Sequence, residues 1–319
     1  MFTIEELERA HRLVRSMLPE TLHYAWPTLA ARVGTTTWIK HENHLPTGAF
    51  KVRGGLVHVE RLAREGLAPN GLISATRGNH GQSLALAGRH FGVPVTIVVP
   101  RGNSVEKNDA MRAFGATLIE HGNDFDAAKV EAVRLADEQG LWFAPSFHRD
   151  LVTGVATWAY ELLSAAPDID ILYVPIGLGS SICGAIRVRD LLGRKTEIVG
   201  VQSTHAPAYA RSLEAGEPVE IPSADTRADG LAVRIPDAAA LDIIRAGVSR
   251  IVTVNDAEIA DAVRAYWADT HNLAEGAGAA ALAAVVQERD QLAGRCVGLP
   301  LSGGNIDLAL FSRWILAGD

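Results

Sequence analysis

The 319-residue chain carries a formal net charge of −7, and 48% of its residues are hydrophobic while 21% are charged. This composition is typical of a globular protein with a large core. The acidic balance without a basic run argues against nucleic-acid binding, and no apolar run is long enough for a membrane span. With only Cys183 and Cys296 and no signal-peptide core at the N-terminus, we expect a soluble cytoplasmic protein.

Local patterns predict alternating strands and helices. Thr3 and Glu6 form a capping-box pattern that predicts a first helix. The predicted strands are TTTWIKH, GLISA, VTIVVP, ATLIE, ILYVPI, EIVGVQ, RIVTVN and CVGLPL. Helical patterns such as NHGQSLALAGRHFG, DAAKVEAVRLADEQG and DAEIADAVRAYWADT follow. This alternation predicts an α/β fold with parallel sheets and a ligand at the carboxyl ends of the strands. Residues 216–237 lack periodicity, which indicates either a functional loop or a surface excursion.

The first candidate loop is HLPTGAFKVRGG, which contains Lys51. Most lysines are surface charges, and that interpretation applies to Lys51 taken alone. The alternative is an imine-forming lysine, which needs burial to lower its pKa and expose a neutral amine. The small residues before Lys51 let a flat ligand approach the backbone, and PTGAFK is expected to open a helix.

Two further turns connect a strand to a helix. TRGNHG, residues 76–81, and GLGSS, residues 177–181, both place free backbone N–H groups at a helix start, where anions bind. The alternative for the first turn is an ordinary βα turn with an asparagine cap, which would not require Thr, Arg, Asn and His together. The second lacks the spacing of a dinucleotide or P-loop site, so alone it is weak evidence for a phosphate.

The fourth candidate loop is SGGN, residues 302–305, which follows the strand CVGLPL. The hydroxyl of Ser302 can bond a neutral heteroatom of a ligand. The alternative is a helix N-cap formed by Asn305. His41 and His44 have no partner set that would complete a metal site, and no G-x-S-x-G elbow for a serine hydrolase is present.

Taken in order, these loops resemble the pyridoxal-phosphate enzymes of fold type II, the tryptophan-synthase-β-like fold. Among them the chain is most similar to serine/threonine dehydratases (threonine ammonia-lyases) and serine racemase. The resemblance runs from about residue 15 to the end and includes ADGLAV (228–233) and AEGAGAAAL (274–282). It implies two interleaved open parallel-sheet domains. Residues 1–54 and 146–319 would form the large cofactor-binding domain, and 55–145 a small mobile domain that closes over the substrate. It also implies a homodimer with no membrane or nucleic-acid partner.

The resemblance assigns roles to individual residues. Lys51 would be the catalytic residue and form an imine with pyridoxal 5′-phosphate. The cofactor would also contact Phe50, Asn79 (at the ring 3′-oxygen), Gly177, Leu178, Gly179 and Ser180 (at the phosphate), Gly230, Glu275 and Ser302 (at the pyridine nitrogen). The amino-acid substrate would be bound by Thr76, Arg77, Gly78, Asn79 and His80.

The reaction implied is dehydration and deamination of a β-hydroxy amino acid, with L-threonine or L-serine as the default. A neutral Ser302 at the pyridine nitrogen makes the ring a weaker electron sink, which suits prompt loss of a β-substituent. Lys51 would take the Cα proton, and the products would be a 2-oxo acid and ammonia. Alternatives are dehydration of 3-hydroxyaspartate or phenylserine, amino-acid racemisation, or a binding protein without turnover, against which the complete set of loops argues.

Several positions depart from the family pattern. The phosphate turn, usually four glycines, reads Gly-Leu-Gly-Ser here. Arg77 replaces the serine that acts as second acid/base in racemases, and arginine is a poor proton acceptor. Its guanidinium would bind a second substrate carboxylate or simply face solvent. Gln202, Ala206 and Ala208 stand where metal-binding members have acidic residues, so we expect no divalent cation there. Because the chain ends at Asp319, we expect no C-terminal regulatory domain.

Overall fold

The computed structural model describes residues 1–166 and 168–318. The strands are β1 His23–Ala25, β2 Thr37–His41, β3 Leu72–Ala75, β4 Val95–Val99, β5 Thr117–Glu120, β6 Trp142–Phe143, β7 Ile171–Pro175, β8 Glu197–Ser203, β9 Arg250–Val254 and β10 Val297–Leu301. All eight strands predicted from the sequence are present. The two that were missed, β1 and β6, contain only three and two residues.

The helices are α1 Ile4–Met17, α2 Pro27–Val33, α3 Lys51–Arg64, α4 Asn79–Phe91, α5 Val105–Ala113, α6 Phe125–Gln139, α7 Arg149–Val155, α8 Thr157–Ala165, α9 Ser180–Leu191, α10 Ala208–Ala215, α11 Ala238–Gly247, α12 Asp256–Thr270, α13 Gly276–Gln287 and α14 Leu308–Leu310. Short 3-10 helices span Glu42–His44, Asp229–Leu231 and Arg289–Gln291, and a π-helix spans Phe311–Ala317. The capping box at Thr3 and Glu6 forms as predicted. Among the described residues, no helix has both the length and the apolar character required to cross a bilayer.

The strands form two sheets. A six-stranded sheet has the order β1-β2-β10-β7-β8-β9, and a four-stranded sheet has the order β5-β4-β3-β6. Every pairing is parallel except that of β1 with β2, so the large sheet is mixed rather than purely parallel. The short β1 lies at the edge of this sheet and pairs only with β2, and α2 lies in the connection between the two strands.

The four-stranded sheet lies entirely within the stretch that we predict to be the small domain, and the six-stranded sheet lies outside it. The predicted boundary between residues 54 and 55 falls inside α3. This helix packs on both α4 and α7. At Gly154 of α7, a Cβ atom would lie 2.3 Å from the carbonyl oxygen of Arg53, so the two backbones are in close contact. The division into domains stays a prediction.

Helix α3 is anchored by a buried ion network. Arg53 is fully buried and donates to Glu42 at 2.7 and 2.9 Å, and to Glu161 at 2.8 and 2.9 Å. The buried Nζ of Lys40 lies 2.7 Å from Glu161. Burial by itself would raise the pKa of Glu161, but its hydrogen bonds and the neighbouring cations hold that pKa well below its usual value. Two cations and two carboxylates therefore balance beneath the turn that carries Lys51.

The loop that follows α10 is irregular, as the sequence predicted. From residue 216 to 237, only Asp229–Leu231 forms a helical turn. Helix α13 begins beyond it and is buried along almost its whole length, which places the apolar AEGAGAAAL segment in the core of this chain. Gly230 of the loop approaches Gly177 after β7, and Gly278 near the start of α13 approaches Gly303 after β10.

Candidate active site

Lys51 is the first residue of α3 and follows a turn bound to the SGGN loop. The Phe50 N–H donates to the Ser302 carbonyl at 3.0 Å, and the Gly304 N–H donates to the Gly48 carbonyl at 2.9 Å. The Nζ atom of Lys51 lies 5.0 Å from the centre of the Phe50 ring. The helix start that PTGAFK predicted is confirmed, and Phe50, Lys51 and Ser302 are brought together.

Two acids accompany this lysine, of which Glu275 is buried and Asp229 is half-buried. Desolvation lowers the pKa of Lys51, and the negative charges of Glu275 and Asp229 only partly offset it. Desolvation also raises the pKa of Glu275 to about 7, although Lys107 counteracts the shift. A lysine in this setting has a larger neutral fraction than a surface lysine, as imine chemistry requires.

The TRGNHG turn lies across from Lys51. Thr76 follows β3, and α4 begins at Asn79, so the first N–H groups of this helix have no acceptor within it. His80 is buried, and desolvation followed by the charge of Lys51 lowers its pKa to about 3. The turn therefore offers N–H donors and a neutral imidazole beside the lysine, which suits a carboxylate ligand.

Asn79 connects this turn to Glu275. Its Nδ2 donates to Oε1 of Glu275 at 2.8 Å, and its Oδ1 accepts from Nδ2 of Asn305 at 2.7 Å. The other carboxyl oxygen of Glu275 is buried with no hydrogen-bond partner among the described residues. An unpartnered buried oxygen indicates a group that is satisfied only when a ligand is present. Asn305 is not the N-cap of the following helix, because that position is Asp307.

The GLGS turn follows β7 and leads into α9. A Cβ atom at Gly177 would lie 2.4 Å from the carbonyl oxygen of Gly230, and Gly179 has a left-handed backbone with φ of 102°. Neither the steric contact found at Gly177 nor the left-handed φ found at Gly179 applies to Leu178 and Ser180. The carbonyl of Leu178 accepts from the Tyr209 hydroxyl at 2.9 Å. Because α9 begins at Ser180, its first N–H groups have no acceptor within the helix and can bind an anion. A phosphate fits this turn without the two missing glycines.

Arg77 is the one predicted residue whose side chain stands apart. It is exposed, and no ion pair of its guanidinium is found among the described residues. Its backbone carbonyl accepts from Asn103 at 3.1 Å. Exposure is compatible both with a position at the mouth of the site and with a solvent-facing side chain.

Two charged residues were not identified from the sequence. Lys107 of α5 is buried, and its Nζ forms an ion pair with Asp229. Burial alone would lower the pKa of Lys107, but Asp229 and Glu275 raise it overall. The signal for Asp229 was present, because it stands inside the ADGLAV motif. Lys107 carried no comparable signal, since a lysine near a helix start is usually a surface residue.

At the position where we expect no divalent cation, two of the three residues belong to a small apolar cluster. Ala206 and Ala208 pack against Ile221, and Gln202 is occupied in accepting the Ala210 N–H at 2.9 Å. Elsewhere, His58, His148 and Asp150 bring three ligand-type atoms within 4.8 Å of one another. Nδ1 of His58 is 3.2 Å from Asp150, whereas its Nε2 is buried without a hydrogen-bond partner among the described residues.

In that histidine cluster, Arg61 donates to Asp150 at 2.5 Å, and Nδ1 of His148 accepts the Asp150 N–H at 3.1 Å. This arrangement is that of an ion pair combined with a helix N-cap. The cluster lies between α3 and α7, outside the loops described above.

Comparison with known proteins identifies the family. The family model described as "Pyridoxal-phosphate dependent enzyme" matches residues 19–303. An L-threonine ammonia-lyase of Thermotoga maritima is 33% identical over 319 residues, which is 100% of this chain and 79% of that protein. One from Geobacter sulfurreducens is 37% identical, covering 94% of this chain and 74% of the relative. An L-threo-3-hydroxyaspartate ammonia-lyase of Pseudomonas sp is 32% identical, covering 89% of each.

Solved structures agree with the sequence matches. Threonine deaminase isoform 2 from Solanum lycopersicum superposes with a TM-score of 0.89 at 28% identity, covering 98% of this chain and 93% of that one. Maize serine racemase superposes with a TM-score of 0.91 at 26% identity, covering 99% and 97%. The predicted resemblance, the fold type II architecture and the pyridoxal-phosphate cofactor are confirmed. The chain belongs to the pyridoxal-phosphate dependent enzymes.

Proposed function

We propose that the protein is an ammonia-lyase that dehydrates and deaminates a β-hydroxy amino acid, with L-threonine or L-serine as the default substrate. The observation that carries this proposal is the juxtaposition of Lys51, with its lowered pKa, and the N–H-rich turn at the start of α4. The threonine ammonia-lyase relatives, which match almost the whole chain, support it independently.

The residues would hold the cofactor as follows. Lys51 would bond to its aldehyde, Asn79 would donate to the ring 3′-oxygen, and Ser302 would contact the ring nitrogen. Gly177, Leu178, Gly179 and Ser180 would hold the phosphate, while Phe50, Gly230 and Glu275 would line the remaining sides. When bound, the cofactor supplies an electron sink for the electrons of the Cα–H bond.

The substrate is bound and deprotonated by the chain's own groups. The turn containing Thr76, Gly78 and His80 binds the α-carboxylate through N–H groups. Lys51, once displaced by the substrate amino group, would accept the Cα proton, for which an amine with a lowered pKa is suited near neutral pH. The β-hydroxyl would take up a proton and leave as water, and hydrolysis would give a 2-oxo acid and ammonia.

A panel of β-hydroxy amino acids tests this function. We expect release of both 2-oxo acid and ammonia from threonine or serine, and loss of turnover and of visible imine absorbance in Lys51→Ala. Release of neither product from any panel member, or unchanged absorbance in Lys51→Ala, contradicts the proposal.

A second candidate substrate is 3-hydroxyaspartate, favoured by the exposed guanidinium of Arg77 and by the Pseudomonas relative. A bidentate arginine–carboxylate pair would select a substrate with a second carboxylate. If Arg77 has this role, Arg77→Ala reduces kcat/KM for 3-hydroxyaspartate while leaving that for threonine nearly unchanged. An equal effect on both substrates rejects it. Racemisation is disfavoured because arginine replaces the second acid/base.

We also propose that the small domain, residues 55–145, closes over the substrate, and that the enzyme is a cytoplasmic homodimer. Support for closure comes from polar contacts to the rest of the chain, including Lys107 with Asp229 and Ser104 with Asp307 at 2.6 Å. Such contacts break at a lower cost than an apolar interface. Small-angle scattering with and without a substrate analogue tests closure, and light scattering tests the dimer.

A further inference from the structure

A directed chain of hydrogen bonds connects four loops of the site. Nδ2 of Asn305 donates both to the Thr47 carbonyl at 2.8 Å and to Oδ1 of Asn79 at 2.7 Å. Nδ2 of Asn79 then donates to Glu275 at 2.8 Å. Thr47 precedes Lys51 by four residues, so this series of hydrogen bonds begins in the lysine loop and ends at Glu275, just before α13.

The contact between Asn305 and Thr47 fixes the donor and acceptor roles in this series of hydrogen bonds. A backbone carbonyl only accepts, so Asn305 must turn its NH₂ group toward Thr47, and both hydrogens of that group are then used. Oδ1 of Asn79 is consequently the acceptor. With the Asn79 amide reversed, two N–H donors would face each other, and an oxygen would face the Glu275 carboxyl group. One hydrogen of Asn79 Nδ2 remains unused in the observed orientation.

The loop before Lys51 is shaped to admit Asn305. A Cβ atom at Gly48 would lie 2.3 Å from Oδ1 of Asn305, and Gly48 has a left-handed φ of 66°. A side chain at residue 48 would therefore displace the asparagine from Thr47. The TG pair of the PTGAFK segment provides both the carbonyl acceptor and the space for this contact.

We infer that Asn305 is a positioning residue that orients the Asn79 amide, so that its remaining N–H is presented to the 3′-oxygen of the cofactor. Thr47 and Glu275 lie at the two ends of this series of hydrogen bonds. This inference rests on the role of Asn79 given under the proposed function. Ser302 is the residue of the SGGN loop assigned to the ring, and Asn305 of the same loop acts through Asn79.

Replacement of Asn305 by leucine, which is similar in size and uncharged, tests the inference without adding a charge. Asn79→Leu removes the donor itself. Asn43→Leu is the matched control, because Asn43 also donates to a side-chain oxygen and a backbone carbonyl, those of Asn272 and Leu273. The readouts are the cofactor Kd from fluorescence titration and the pH midpoint of the visible absorbance of the loaded protein, with circular dichroism as a check on folding.

In Asn305→Leu, we expect the cofactor Kd to increase about tenfold, the size of one lost hydrogen bond to a charged group. Its absorbance midpoint should move upward, because an oxygen without its donor is more basic. Asn79→Leu should move both readouts at least as far, and Asn43→Leu neither. If the leucine variant does not fold, Asn305→Ala, which leaves space for water, is measured in its place.

Values for Asn305→Leu within twofold of the unmodified protein, beside a clear shift in Asn79→Leu, overturn the positioning role and leave the function intact. Unchanged values in both variants overturn the assignment of Asn79 as well. If the unmodified protein turns over no amino acid of the panel while the cofactor readouts behave as expected, only the proposed substrate is contradicted. Failure of the positioning role and failure of the proposed function are therefore distinguishable.

Discussion

The buried network around Arg53 gives the most quantitative prediction. In Arg53→Met, methionine fills much of the same volume but leaves Glu42 and Glu161 buried with Lys40 as the remaining permanent cation and with Nε2 of His11 at 3.3 Å from Glu161. Four charge-assisted bonds at about 1.5–3 kcal/mol each would sum to more than many domains have in total stability. That sum overstates the cost, because a buried carboxyl group can take up a proton instead of remaining charged. We therefore expect a loss of about 3–5 kcal/mol near neutral pH.

The pH dependence distinguishes this explanation from simple loss of packing. In the unmodified protein, the pKa of Glu161 is depressed, so its contribution is present above the pKa of the unfolded chain and is lost only in acid. In Arg53→Met, we expect the pKa of a buried carboxyl group to be raised, so stability is lost as pH rises through that value. The deficit should accordingly be smaller near pH 5 than near pH 7.5.

Urea unfolding of the holoenzyme followed by circular dichroism measures both quantities. Addition of Glu161→Gln to Arg53→Met restores the charge balance and should recover about 1–2 kcal/mol. A deficit under about 1 kcal/mol near neutral pH would refute the reasoning, as would a deficit independent of pH or further destabilisation by the second substitution.

Three more outcomes are expected. The pKa of Glu275 is raised to about 7, so the free energy of unfolding of the cofactor-free protein should fall relative to that of Glu275→Gln as pH rises from about 4.5 to 7. A constant difference between the two proteins across that range contradicts the raised pKa. In Gly278→Ala, the new Cβ would lie 2.2 Å from the Gly303 carbonyl oxygen, which should cost about 1–3 kcal/mol in urea unfolding and weaken cofactor binding. A chelator should leave turnover unchanged, because Gln202 and Ala206 offer no carboxylate; strong activation by magnesium would contradict this.

The fold was predictable because hydrophobic runs and turn residues determine it locally. β7, β8 and β10 are near-continuous apolar segments, which marks them as buried strands. β1 and β6 have two or three residues each and exist only through pairing with a neighbour, so no local pattern announces them. The site loops were found for a different reason, namely their resemblance to a family with a known cofactor.

The charged pairs of the interior could not be predicted in this way. Arg53 and Glu161 are 108 residues apart in sequence, and each taken alone has the composition of a surface residue. Lys107 and Asp229 likewise meet only because α5 and the irregular loop fold together. Long-range charge pairing depends on tertiary geometry, which a single sequence does not contain.

The turn proposed to hold the phosphate departs from the family pattern at two of its four positions. Of the four positions, only 177 and 179 exclude a side chain: the first by contact with the Gly230 carbonyl, the second by its left-handed φ. At Leu178, the backbone carbonyl accepts from the hydroxyl of Tyr209, and φ is not left-handed. Because the anion is bound by N–H groups, the residues that matter are those whose Cβ atoms would obstruct the backbone. Gly177→Ala should therefore weaken cofactor binding strongly, while Leu178→Gly should change it little; equal effects in both would show that the leucine side chain itself takes part in binding.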